Sequence, residues 1–89
     1  MKIELIQIDG RDGDTAYNLQ RTLDAIASCE ADTDLLVFPE TQLMGFASAE
    51  QLPVVAEPLH GLQGRALQRA VSERGVAVVI GLAERAEVL

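Results

Sequence analysis

Residues 35–43 read LLVFPETQL. The four apolar residues from Leu35 to Phe38 form a short buried strand. Pro39 ends it, because proline has no N–H to give a neighbouring ladder. An unbroken apolar run suits a central strand of a parallel sheet, covered on both faces, better than an edge strand. The next residue is Glu40, an ionisable group fixed at the tip of a core strand. Pro39 also confines the backbone of Phe38, so the carboxylate is presented with little freedom.

The flanking segments fit the same sheet. On the N-terminal side, KIELIQI (2–8) is a strand whose second half is apolar on both faces. DGRDGD (9–14) is a turn cluster, and its Asp14 is placed to cap a helix through its side-chain oxygen. That helix is predicted from Thr15 to Ala31, with Leu19, Leu23 and Ile26 as a narrow buried stripe. EADTD (30–34) leads into the 35–38 strand.

On the C-terminal side a long irregular link follows Glu40. Ser48 and Gln51 have capping-box spacing for a short helix, which Pro53 is expected to interrupt. A second long helix is predicted over 62–74, with Ala66, Leu67, Ala70 and Val71 facing inward. Gly75 stands where a left-handed residue ends a helix. VAVVIGLAE (76–84) reads as a third strand, apolar on both faces.

The order is β-α-β-loop-α-β, which implies an α/β fold with a mostly parallel sheet and right-handed crossovers. Three strands and two long helices cannot cover a sheet that is apolar on both faces. Val88 and Leu89 look like the start of another element. The 89 residues are therefore expected to be the N-terminal part of a larger domain. Taken alone, a chain this short buries only about 60–65% of its unfolded surface, which leaves it marginal.

Composition narrows the function. Seven basic and fourteen acidic side chains give a net charge of −7, and no basic stripe exists to neutralise phosphates. Nucleic acid and anionic membrane surfaces are disfavoured as partners. The longest apolar run, 76–83, is too short to span a bilayer. Cys29 is the single cysteine, so disulfide staples are out, and with the single His60 it cannot complete a structural zinc site. No metal or organic cofactor is implied. The N-terminus enters a strand pattern at once, and a lone thiol suits the cytoplasm, which is the expected compartment.

The residues alone leave two readings of Glu40. Ligands of open α/β sheets collect beyond the carboxyl ends of the strands, which favours a catalytic carboxylate. Burial beside Phe38, Met44 and Phe46 would raise its pKa toward the range of a general base. An ordinary solvated glutamate in a turn explains the same position. Met44 and Phe46 are candidates to line a substrate pocket, and loop packing explains them as well. His60 reads as a loop or packing histidine.

LLVFPETQLMGF resembles the signature of the carbon–nitrogen hydrolase (nitrilase) superfamily: an apolar strand running into Phe-Pro-Glu, then a Gly-aromatic pair, here Gly45-Phe46. LIQID, DGD, YNL in the first helix and GVAVVIGLAER occur around it in the family's order. The resemblance implies an α-β-β-α sandwich and a Glu-Lys-Cys triad acting on a carboxamide or nitrile. Glu40 matches the general base. The matching lysine and cysteine are expected downstream of the third strand, beyond Leu89. Lys2, the only lysine, flanks the first strand as a solvated charge, and Cys29 is a non-catalytic thiol. By itself this segment is expected to be inactive, with the remainder of the domain as its partner and a homodimer as the assembly of the parent. The bacterial amidase branch is the nearest in style, and a glutaminase-type amidase is also compatible. The alternative is a non-catalytic binding or assembly module derived from the same fold.

Overall fold

The computed structural model describes residues 1–39, 42–58 and 60–82. Its elements are β1 (Ile3–Leu5), α1 (Thr15–Ser28), β2 (Leu35–Val37), α2 (Leu52–Val55), α3 (Leu62–Arg74) and β3 (Ala77–Val79). The strands form one parallel sheet in the order β1-β2-β3, with Ile3, Leu35 and Ala77 in register at one end and Leu5, Val37 and Val79 at the other. Ladder bonds run slightly beyond each strand, from Ile6 N to Val37 O (2.9 Å) and from Phe38 N to Val79 O (2.9 Å).

Since side chains alternate across a strand, Leu36 and Val78 share one face of the sheet while Leu5, Val37 and Val79 share the other. Both long helices cover the Leu36 face and pack on each other, as two right-handed crossovers in the same direction require. Ile26 of α1 and Leu67 of α3 join Leu36, Phe38, Leu43, Met44, Cys29 and Val76 in the core. The opposite face stays open, with Leu5 77% exposed, Val79 54% and Ile3 50%. Among the described residues both long helices lie on one face, and on the other only the central Leu35 and Val37 are half-buried.

Several local expectations hold. Asp14 Oδ1 accepts the N–H of Tyr17 at 3.1 Å and so caps α1. Gly75 ends α3 in the left-handed conformation, φ 71°, with its N–H on Val71 O at 2.8 Å. Ser48 and Gln51 form the capping box: Ser48 N donates to Gln51 Oε1 (2.9 Å) and Gln51 N to Ser48 Oγ (3.2 Å).

Others need correction. Pro53 does not interrupt the short helix; it sits in the first turn of α2, where its missing N–H would have had no intrahelical partner. The first helix ends at Ser28 rather than Ala31. Its fully buried residues are Asn18, Thr22 and Ile26, while Leu19 and Leu23 are half-buried beside them. Apolar periodicity misses this because Asn18 and Thr22 enter the core with their polar atoms already bonded. The hydroxyl of Thr22, for example, donates to the carbonyl of Asn18 at 2.8 Å. No helix among the described residues is long and apolar enough to cross a membrane.

Candidate active site

The site is built where β1 and β2 end. At the tip of β2, Phe38 is buried and tied to β3, and Pro39 is exposed. Glu40 itself lies outside the described residues. The described chain resumes at Gln42, and Gln42, Leu43 and Met44 are all buried. An irregular segment can be buried only if its backbone polar groups find partners.

The turn between β1 and α1 supplies those partners. The side-chain amide of Asn18 donates to the carbonyl of Leu43 at 2.8 Å. Gly13 N donates to Met44 O at 2.8 Å, and Phe46 N donates to Asp12 Oδ1 at 3.0 Å. Asn18 closes the turn as well, accepting from Arg11 N (2.7 Å) and donating to Arg11 O (2.8 Å). From Leu43 to Phe46 the loop is thus pinned to the turn DGRDGD and to Asn18 at the start of α1.

Glycine is needed at the closest approach. Gly45 has φ 61°, and a Cβ there would stand 2.7 Å from Asp12 Oδ1. That contact explains the Gly of the Gly-aromatic pair.

A cavity of about 160 Å³ opens at this junction, lined by Ile8, Gly10, Asp12, Pro39, Gln42, Gly45 and Phe46. Phe46 is 79% exposed and lies on this cavity. Met44, by contrast, is buried in the core and is not among the described lining residues. Gln42 Nε2 is buried without a hydrogen-bond partner among the described residues. A larger hollow of about 350 Å³ lies beside the edge strand, between β1 and the half of α1 from Arg21 to Cys29.

Charges brace the same end of the sheet. The Tyr17 hydroxyl donates to Asp9 Oδ2 at 2.7 Å, and Arg21 Nη2 reaches Asp9 Oδ1 at 2.6 Å. The tyrosine bond first, and the arginine after it, hold the Asp9 carboxyl below its ordinary range. The same bond pushes the Tyr17 phenol up. Arg11 stacks over the Tyr17 ring, 3.8 Å from its centroid.

Lys2 and Cys29 lie at the opposite end of the sheet. Lys2 Nζ pairs with Glu30 and with Asp32 (2.9 Å), and these bonds, the one to Glu30 foremost, push the ammonium above the usual lysine value. It is a clamp on the turn before β2 rather than a free solvated charge. Cys29 is 7% exposed at the end of α1. Arg74 Nε donates to its Sγ at 3.3 Å, and Arg74 Nη2 donates to its carbonyl oxygen. His60 is exposed.

Sequence reasoning found the strand tip but missed the turn residues that hold it. YNL and DGD are parts of the pattern, yet an asparagine in the first turn of a helix gives no periodic signal of burial.

The model of the carbon-nitrogen hydrolase family matches residues 2–88. An (R)-stereoselective amidase from a Pseudomonas species is 67% identical over 84 residues, which is 94% of this chain and 31% of that protein. A protein described as a hydrolase in the pqqF 5′ region, from Pseudomonas protegens, is 35% identical over 86 residues, 96% of this chain and 30% of the relative. The chain thus spans just under a third of the length of these curated relatives.

Proposed function

The chain belongs to the carbon–nitrogen hydrolase family, and we propose that it supplies the general base, Glu40, for hydrolysis of a carboxamide within a longer polypeptide. The observation that carries this reading is the anchored loop at the tip of β2. A carboxylate that must take protons in a fixed geometry needs a backbone that does not wander. Glu40 stands in sequence between two anchored points, Phe38 on β3 and the buried run Gln42 to Met44.

In this reading Glu40 accepts the proton of a cysteine thiol supplied further along the polypeptide. The thiolate attacks the amide carbon, and a lysine ammonium balances the charge that develops on the oxygen. The amine leaves with a proton, giving a thioester. Glu40 then takes a proton from water, which attacks the thioester, and the carboxylic acid and free thiol are released. Lys2 and Cys29 take neither role, since both lie at the far end of the sheet from Pro39. Phe46, on the small cavity, is the better placed of the two pocket candidates. Met44 acts by backing the loop from within the core.

The open sheet face supports the larger architecture. A parallel sheet needs cover on both faces, and a second sheet laid on Leu5, Val37 and Val79 makes the α-β-β-α sandwich. The partner is then the remainder of the same domain, with a homodimer as the full assembly. The kinship to an amidase described as (R)-stereoselective favours a chiral carboxamide over a nitrile or carbamoyl substrate.

The same open face also supports a second reading, a module that docks on a partner and has no catalysis. Substituting Glu40→Gln in the full-length polypeptide separates the two. Turnover should fall by about a thousandfold or more with little change in unfolding midpoint, as expected when a base that acts on both steps is removed. Wild-type turnover in that variant would remove the catalytic assignment.

A further inference from the structure

We propose that Asn18 is a positioning residue for Glu40: its buried amide sets the path of the loop that carries the general base. The inference rests on the reading of Glu40 given above and goes beyond it.

Asn18 is fully buried in the first turn of α1, and its three side-chain hydrogen bonds all reach outside the helix. Oδ1 takes the N–H of Arg11. Of the two Nδ2 hydrogens, one goes to the carbonyl of Arg11 and one to the carbonyl of Leu43. A residue needed only to fill space would be apolar here, as Ile26 is two turns on. An asparagine at this depth joins three segments instead: α1, the turn after β1 and the loop after β2. It does so from rigid ground, since Thr22 and Ile26 on the same face are also fully buried.

The placement matters for catalysis because Leu43 follows Glu40 by three positions. Phe38 N on Val79 O fixes the loop before the glutamate, and Pro39 stiffens its entry. Leu43 O on Asn18 and Met44 O on Gly13 fix it after. Of these three hydrogen bonds, the one to Leu43 O is made by a side chain, so substitution of Asn18 releases it without touching the backbone.

The experiment uses the full-length polypeptide and the variants Asn18→Asp, Asn18→Ser and Glu40→Gln. Asn18→Asp keeps the volume and the acceptor but removes both donors, and Asn18→Ser is neutral and so shortens the side chain without burying a charge. We expect kcat to fall about 10- to 100-fold with KM within about threefold, the cost of misplacing a catalytic group by a fraction of an ångström. The acid limb of the kcat–pH profile, which reports the base, should move as well; a merely structural asparagine would leave it in place. A folded variant with kcat within about twofold of wild type and an unmoved acid limb overturns the proposal. So does failure of both variants to fold, which would make Asn18 a determinant of stability alone. If wild type is inert toward carboxamides, or Glu40→Gln retains turnover, the underlying reading of Glu40 fails and takes this proposal with it. An active wild type, an inactive Glu40→Gln and an unaffected Asn18→Ser remove the Asn18 proposal only.

Discussion

A Cβ added to Gly45 would meet three atoms of Asp12, at 2.7 Å from Oδ1, 2.9 Å from Cα and 3.2 Å from N. The second contact is with backbone and cannot swing aside. Gly45 is also in the left-handed region, φ 61°, which costs an L-residue about 1–2 kcal/mol before any clash. We therefore expect Gly45→Ala to destabilise the full-length protein by more than about 2 kcal/mol, the sum of conformational strain and a displaced turn. Gly75 is the internal control: its φ is 71°, yet nothing lies within 4 Å of its Cβ position. Gly75→Ala should cost only about 1 kcal/mol. Urea unfolding of both variants checks this, and equal losses would show that the Asp12 contact is unimportant.

Cys29 is a core thiol that accepts a hydrogen bond from Arg74 and stands at the wrong end of the sheet for chemistry at Glu40. Cys29→Ser should leave amide turnover in the full-length protein within a few fold, with a normal acyl-enzyme burst. Alkylation of Cys29 in the native state should be slow and should track unfolding, because a buried thiol is reached only when the core opens. Loss of the burst in Cys29→Ser would show that the essential thiol had been misassigned.

The Asp9–Tyr17 pair predicts a pH dependence of known sign. Asp9 is held below its ordinary carboxylate range, chiefly by the Tyr17 hydroxyl. A depressed carboxyl stabilises the fold above its unfolded pKa and loses that contribution as pH falls through the folded value. Tyr17, raised by the same bond, contributes below its unfolded pKa and loses that contribution as pH rises through its own raised value. Tyr17→Phe should move the Asp9 titration upward, toward the ordinary range, and flatten the acid edge of the stability curve. Carboxyl carbon shifts recorded against pH would report it directly. An unmoved Asp9 would assign its shift to Arg21 instead.

What could be read in the sequence was whatever leaves a local trace. Pro39 marks the strand end by its missing donor, Asp14 the helix start by its side-chain acceptor, and Gly75 the helix end by its free backbone. Asn18 leaves no such trace, because its two partner residues, Arg11 and Leu43, lie outside the helix and it interrupts the apolar period rather than extending it. Leu19 and Leu23 were overrated for the converse reason: apolar spacing shows which face turns inward but not which residues reach the centre. Pro53 was read as a helix breaker when its position in the first turn makes it a helix starter. The expected strands of four to nine residues shrink to three each, since paired backbone ends before apolar side chains do. At the site, the strand tip at Phe38 and Pro39 is legible, whereas the turn that holds the following loop emerges only from the hydrogen bonds.

The open sheet face gives the last test. Val37, on the central strand, is flanked in register by Leu5 and Val79, so its side chain lies at the middle of the uncovered apolar surface. If a second sheet lies there in the full-length protein, Val37→Lys places an ammonium in a dry interface with no acid among its described neighbours. Uncompensated buried charge costs about 3–5 kcal/mol, enough to abolish soluble expression or collapse the unfolding midpoint. A lysine at Ser72, exposed on α3, should stay within about 0.5 kcal/mol of wild type. The comparison separates burial from a general dislike of lysine. A full-length Val37→Lys protein with a wild-type midpoint would mean that water, not a second sheet, covers this face, and the sandwich would have to be abandoned.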